Sequence, residues 1–334
     1  MAGFFLPHFY ERKEAMARQQ TNRLRLYQKP TETKEALIAK LRQRGLIIND
    51  EHAAKIALTF IGYFRLRGYC IPYYQVTQDI KPQLVTPKTF IPGTTLEDII
   101  ALYEFDRKLR LIVLEQIQKV EIGLRTCLSE YMSVKYGCHW FMNLTTLNNE
   151  YDYEGFFGQI RDAKEVFIDH YKVTYDHPKY PPSWMITETL SFGAWSRIYK
   201  SLHHYDQKKI AENFNIRNAE VMVSWFHTLS HFRNLAAHHN RIWNRAFKAF
   251  PPGKLNGYEH HMPNPQTLYS RLVVLKYLSD QVSWSDGLKN QLIALMGDKP
   301  NCVTWEKMGF ITNWDADPLW SRSVNPPPQV QPQQ

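Results

Sequence analysis

Long apolar runs are missing from this chain of 334 residues, and no stretch approaches the roughly 18 consecutive apolar residues of a membrane-spanning helix. A soluble protein, with no membrane among its partners, is expected. Cysteine is scarce. Cys70, Cys127, Cys138 and Cys302 stand far apart and none belongs to a C-x-x-C pair, so neither a zinc knuckle nor a disulfide framework is indicated. A reducing, cytoplasmic setting follows most simply. The start, Met1-Ala2-Gly3-Phe4-Phe5-Leu6-Pro7-His8, has no basic residues ahead of its apolar ones and is interrupted by Pro7, which argues against a secretory signal. Acidic residues are the minority charge. With 32 Asp and Glu against 41 Lys and Arg, the formal charge is +9, which favours an anionic partner, nucleic acid before a membrane surface. Charge alone needs a site to support it.

What is present points to a helical protein. Apolar residues make up 44% and aromatics 14% of the chain, which excludes wholesale disorder. Residues 1–30 are basic and poorly patterned, and read either as a solvated arm or as one that touches a phosphate backbone. Residues 31–93 read as a small helical module with a Pro-rich connector. Ala36, Leu37, Ile38 and Leu41 have helical spacing, and Asn49-Asp50 can cap a second helix. Within it, Gly62-Tyr63-Phe64-Arg65-Leu66-Arg67-Gly68-Tyr69 mixes rings and guanidiniums, which suits either packing near a turn or the stacking and phosphate contacts of an RNA site.

At Thr94-Thr95-Leu96-Glu97 a capping box opens a long helix, with Ile99, Leu102, Phe105, Leu109, Val113, Ile117, Val120, Leu124 and Leu128 at helical spacing to about Tyr131. Only Gly123 weakens it. A helix this long is usually the spine of a bundle. The expected bundle domain covers residues 94–250, with an aromatic, irregular insertion at 136–183 that carries a short helix near 156–171. Helical patterning resumes over 184–204, and a short helix is expected at 207–214. The 32 residues from Ala219 to Phe250 contain neither Gly nor Pro, and Met222, Trp225, Phe226, Leu229 and Phe232 mark one apolar face. A helical C-terminal extension (251–324), with a helix near 267–281, precedes a low-complexity tail at 325–334.

One stretch stands out: His227-Thr-Leu-Ser-His231-Phe-Arg233-Asn234-Leu-Ala-Ala-His238-His239-Asn240-Arg241-Ile-Trp243-Asn244-Arg245. It packs four His, three Arg and three Asn into 19 residues of a segment otherwise patterned for a core. Buried polar groups are costly unless paired, so so dense a set suggests a site. If one helix runs through it, His227, His231, His238 and Arg241 share a stripe, while Arg233 and His238 are about 140° apart. Two arrangements would let those two serve one phosphate: a helix that breaks near Asn234, or a site assembled from two copies of the chain.

Arg233-Asn234-Leu235-Ala236-Ala237-His238 matches the R-x4-6-H motif of the HEPN superfamily. With its extension through His239, Arg241, Trp243, Asn244 and Arg245 it resembles the Abi-like family of phage abortive-infection proteins (AbiD/AbiF type). Three other blocks resemble the same family in order: Ile61–Tyr69, Tyr103–Arg110, and Thr187-Glu188-Thr189-Leu190-Ser191-Phe192-Gly193. The resemblance covers roughly residues 28–250. It implies a mainly α, HEPN-type bundle, flanked here by the N-terminal helical module and the C-terminal helical extension. It also implies a metal-independent endoribonuclease in phage defence, acting as a homodimer whose two motifs converge and in some cases paired with a small noncoding RNA antitoxin. Arg233 and His238 become the catalytic pair, with Asn234 as the motif's polar second position. His239, Arg241, Asn244 and Arg245, together with Arg65 and Arg67, are candidate RNA contacts.

The chemistry stands on its own terms. RNA carries its own nucleophile, the 2′-OH. An imidazole can take that proton or protonate the leaving oxygen, and a guanidinium can neutralise charge developing on the phosphate. No cofactor is required. A non-catalytic RNA-binding protein of the same defence context is the alternative. A metal site at His227-x-x-x-His231, continued by His238, is the other rival, but Glu does not follow His227 and the cluster holds no carboxylate.

Overall fold

A computed structural model of the chain describes residues 30–77, 83–148, 151–282 and 287–321, and the basic arm up to residue 29 and the C-terminal tail lie outside the described residues. The described residues form thirteen α-helices, a few single 3-10 turns and no β-strand. No described helix is long and apolar enough to cross a membrane.

Three short helices come first: α1 (Lys34–Gln43), α2 (Glu51–Phe60) and α3 (Tyr63–Cys70). Side-chain oxygens of Thr33 and Asp50 accept from the backbone N–H groups of Ala36 and Ala53 and so start α1 and α2. The connector that follows is held by isolated antiparallel bridges, Tyr74 with Phe90 and Val76 with Leu84. The spine is α4 (Leu96–Tyr136), 41 residues and about 60 Å long at 1.5 Å per residue. Its capping box lies one residue later than the sequence suggests. Thr95 is the N-cap and Asp98 the reciprocal acceptor, while the Thr94 hydroxyl turns back to the Ile91 carbonyl. The helix also runs a turn past Tyr131.

The insertion contains two helices, not one: α5 (Tyr153–Arg161) and α6 (Val166–Thr174). Then follow α7 (Ser183–Ile186), α8 (Phe192–Ser201), α9 (His204–Glu212) and α10 (Ala219–Ala237). Beyond the site come α11 (Leu268–Val282), α12 (Leu288–Gly297) and α13 (Pro318–Ser321). The spine packs against α11, α10, α12 and α3. Every residue of α11 from Leu268 to Ser279 is buried, as expected of a helix apolar on most sides and enclosed by neighbours. The part of the chain beyond 250 thus completes the bundle core. Gly123 has a structural reason: a Cβ there would lie 2.8 Å from Val282 Cγ1, so a side chain would push the end of α11 off the spine.

The segment Ala219–Phe250 is not one helix. Helix α10 stops at Ala237, and His239, Asn244 and Phe250 all adopt positive φ. The absence of Gly and Pro hid this, because His and Asn occupy the left-handed positions that Gly usually takes.

Candidate active site

Helix α10 begins at Asn218, whose side chain accepts from the backbone of Glu220 and Val221. Its inner face, Met222, Trp225, Phe226, Leu229, Phe232 and Ala236, is buried at helical spacing. The outer face carries Arg233 and Asn234. At the end of the helix the chain exits through His239 in the left-handed region, φ 58°. The His239 N–H donates to the Ala236 carbonyl (3.1 Å) and the Asn240 N–H to the Leu235 carbonyl (2.9 Å). This crossed pair satisfies carbonyls that a helix end would leave open. His238, the last residue before the reversal, is exposed, and its ring makes no hydrogen bond among the described residues.

The turn after His238 is clamped from two directions. From α3, Arg65 donates to the His239 carbonyl, and Arg241 donates back to the Gly68 carbonyl. From the spine, the fully buried Asp106 carboxylate accepts the N–H groups of Ile242 (3.1 Å) and Trp243 (2.7 Å). It also accepts the Tyr69 hydroxyl at 2.7 Å and an Arg110 N–H. Burial pushes the Asp106 carboxyl up, while Arg110, the two amides and the Tyr69 hydroxyl favour its ionised form. From the sequence alone, Glu104-Phe105-Asp106 reads as an ordinary solvated helix face in preference to a pair of carboxylates resting on Arg233 or Arg241. Glu104 is indeed exposed and pairs with Arg107, but Asp106 is the buried centre of the clamp, and its partner is Arg110.

Arg233 is held from the other side. Its Nε lies 3.5 Å from an oxygen of Glu121, a spine residue that is 6% exposed. Glu121 also pairs with Arg125 one turn on, and Arg125 donates to the Thr187 carbonyl at 3.2 Å. Two guanidiniums therefore share one buried carboxylate, with the exposed Glu188 near enough to act on Arg125. The Arg233 side chain is about a third exposed and also donates to the Asn234 side chain. Helix α8 packs closely beside this region because residue 193 is glycine. A Cβ there would come within 3.3 Å of Ser230 Oγ.

The structure thus places the sequence candidates in three groups. Arg233 and Asn234 lie on the outer face of α10, and His238 stands at its end; no hydrogen bond or ion pair joins Arg233 to His238. Helix α10 is unbroken through Asn234, so of the two arrangements, the break is not the one adopted. Arg65, His239 and Arg241 use hydrogen bonds to shape the turn. Arg67 and Asn244 are exposed, and Arg245 is half-buried, donating to the Arg241 carbonyl. Burial and the neighbouring Arg241 push the Arg245 guanidinium down from its ordinary value. The expected polar stripe survives only in part. His227 and His231 both lie against the Phe250 ring, at 5.8 and 5.5 Å between centroids, while His238 is the C-cap of the helix and Arg241 lies beyond it. Burial and the charges of Arg271 and Arg245 push His231 down to about 4. Sequence reasoning missed Glu121 and Arg125 and read Asp106 as solvated. A signal existed: Asp106–Arg110 and Glu121–Arg125 are acid-before-Arg pairs at i,i+4 within a helix whose pattern is otherwise apolar.

A family model for Abi-like proteins matches residues 57–244, which is more than half of the chain and takes in the blocks at Ile61–Tyr69, Tyr103–Arg110 and Thr187–Gly193 and the motif Arg233–His238. The chain belongs to the Abi-like protein family. No curated protein and no solved structure matches it. The match begins just before α3 and ends at Asn244, so the Abi-like region contains both sides of the clamp, the Arg233–Glu121 pair and His238.

Proposed function

We propose that this Abi-like chain is a metal-independent endoribonuclease of the HEPN type, serving in phage defence by abortive infection. One observation carries the reading. Two of the family's blocks, Ile61–Tyr69 and Tyr103–Arg110, clamp a short reversal of the chain in the motif block, and the Thr187–Gly193 block meets Arg125 beside Arg233; what that scaffold presents to solvent is the His238 imidazole, with no hydrogen bond among the described residues, beside a helix face carrying Arg233 and Asn234. A turn needed only for packing would not require two carbonyl-seeking arginines and a buried carboxylate to fix an exposed histidine. Rigid support of this kind is what positioned proton transfer needs.

In the reaction, His238 takes the proton of the RNA 2′-OH. The 2′-oxygen forms a bond to phosphorus, and the bond to the 5′-oxygen breaks, with an imidazolium protonating the leaving oxygen. The products are a 2′,3′-cyclic phosphate and a 5′-hydroxyl. Arg233 stabilises the charge that builds on the phosphate oxygens, and Glu121 and Arg125 keep it oriented. With α10 continuous, Arg233 and His238 are about 140° apart around the helix. A homodimer that sets His238 of one copy near the motif of the other is the arrangement proposed. The basic surface around Arg67 and Arg245 is assigned to RNA binding, with a small noncoding RNA as the proposed restraint in uninfected cells.

The test compares wild type with His238→Ala on total cellular RNA in EDTA, with product ends mapped. Cleavage by the wild type alone, leaving cyclic phosphate, is expected, as is relief of toxicity in cells by Arg233→Ala and by His238→Ala with the fold intact. Full toxicity in both variants would overturn the assignment. RNA affinity lost together with activity in a folded His238→Ala would favour the alternative, an RNA-binding protein without catalysis.

A further inference from the structure

A second cluster of chemistry-bearing side chains lies in the C-terminal part of the bundle and shares no residue with the site above. His260 and His261 sit in a single 3-10 turn (Glu259–His261) with their rings 4.0 Å apart. Both Nε2 atoms face Asp317, at the start of α13: His260 lies 3.3 Å from one carboxylate oxygen and His261 3.2 Å from the other. One donor atom from each of the three residues falls within 4.8 Å of the other two.

Ordinary packing does not explain this placement well. One histidine would suffice to pair with Asp317. Two imidazoles in contact repel each other if both are charged, and His261 is 2% exposed. The two His–Asp separations, 3.3 and 3.2 Å to the two oxygens of one carboxylate, are close to the roughly 3.3 Å between ligand atoms that bonds of about 2.0–2.1 Å at tetrahedral angles set. The surrounding groups are those that orient metal ligands. The Tyr269 hydroxyl lies 3.5 Å from His261 Nδ1 and receives the Trp320 indole N–H at 3.2 Å. The Asp317 oxygen nearest His261 also accepts the Leu319 N–H at 2.8 Å. Outer contacts of this kind fix ring orientation and tautomer. His260 is exposed on its solvent side, where water can complete the coordination.

We propose that His260, His261 and Asp317 bind one divalent cation of the zinc class, with water as the remaining ligand. Two imidazoles and one carboxylate favour Zn2+, Ni2+, Co2+ or Cu2+ over Mg2+ and Ca2+. The cation joins the 259–261 turn to α13, whose buried Trp320 packs on Tyr269, at the start of α11, and on Trp314. Its role is structural, and RNA cleavage does not pass through it.

The test uses the full chain, stripped by a chelator and titrated with Zn2+ against a chromophoric competitor. One saturable equivalent is expected. A hundredfold excess over Kd should raise Tm by about 4 °C for a two-state chain of this length, and Mg2+ should do nothing. His260→Ala removes an exposed ring and should keep the circular dichroism spectrum of the wild type while weakening binding by at least about tenfold. Asp317→Asn should do the same. Absence of saturable binding would overturn the proposal. So would equal binding by both variants, since the chain has 13 histidines and such binding would sit elsewhere. Cleavage that persists in EDTA bears on the nuclease and leaves this test independent of it.

Discussion

Replacing Asp106 by Asn removes one charge from the most heavily used side chain near the site. In the native protein that carboxylate satisfies four donors: the N–H groups of Ile242 and Trp243, the Tyr69 hydroxyl and Arg110. Asp106 is fully buried and Arg110 is 3% exposed, so solvent cannot replace the lost partner. Breaking a buried pair by neutralising one member costs about 3–5 kcal/mol, because the other charge is left uncompensated. The carboxamide also presents an N–H₂ where two lone pairs faced donors, which adds the penalty of an unmade hydrogen bond, about 1–3 kcal/mol. A loss of about 4 kcal/mol or more is therefore expected, against a total stability of about 5–15 kcal/mol for a folded protein. The assay is a urea-denaturation cycle of wild type, Asp106→Asn, Arg110→Met and the double variant. Removing both charges is expected to restore part of the loss, giving a coupling of more than about 1 kcal/mol between the two sites. RNA cleavage should recover with stability in the double variant, because the amides of Ile242 and Trp243 both bond one oxygen of Asp106, and the carboxamide oxygen of Asn can still accept them. A single-variant loss below about 1 kcal/mol, or strict additivity in the cycle, would refute the assignment of Asp106 as the charged centre of the clamp.

Two further outcomes follow from the same geometry. His239→Gly should keep the fold and change stability by no more than about 1 kcal/mol, since relief of the left-handed backbone offsets glycine's extra freedom in the unfolded chain. Its cleavage activity should stay near wild type, in contrast to His238→Ala, because Arg65 needs only the carbonyl at 239; a collapse of activity in a stable His239→Gly would assign the ring a chemical role. His231 has its pKa lowered to about 4, so as pH falls from about 6.5 to about 4 the unfolded chain gains a proton there that the folded chain does not. Stability should therefore fall across that window. Urea midpoints for His231→Gln should show a shallower fall, and an unchanged slope would contradict the burial assigned to the ring.

How much the chain states on its own differs from element to element. The spine was legible because its apolar residues keep a 3.6-residue period over ten turns, and one buried face dictates that period whatever packs against it. The inner face of α10 and the cap at Asp50 were legible for the same local reasons. The motif residues Arg233, Asn234 and His238 were legible as a dense polar set. The end of α10 was not, because His239 supplies a left-handed residue without being glycine, and composition alone does not separate such a histidine from a helical one. Nor was the clamp. Asp106 lies more than 130 residues from the amides it accepts, and whether a carboxylate on a helix faces water or the core depends on which helix covers it. The partnership of Arg233 with Glu121, and of Arg65 with His239, likewise joins residues brought together only when α10 and α3 dock on the spine. Periodicity and capping act over a few residues and are written locally. The environment of a charge is set by everything packed around it, so it was the tertiary structure that turned an expected surface acid into the anchor of the site.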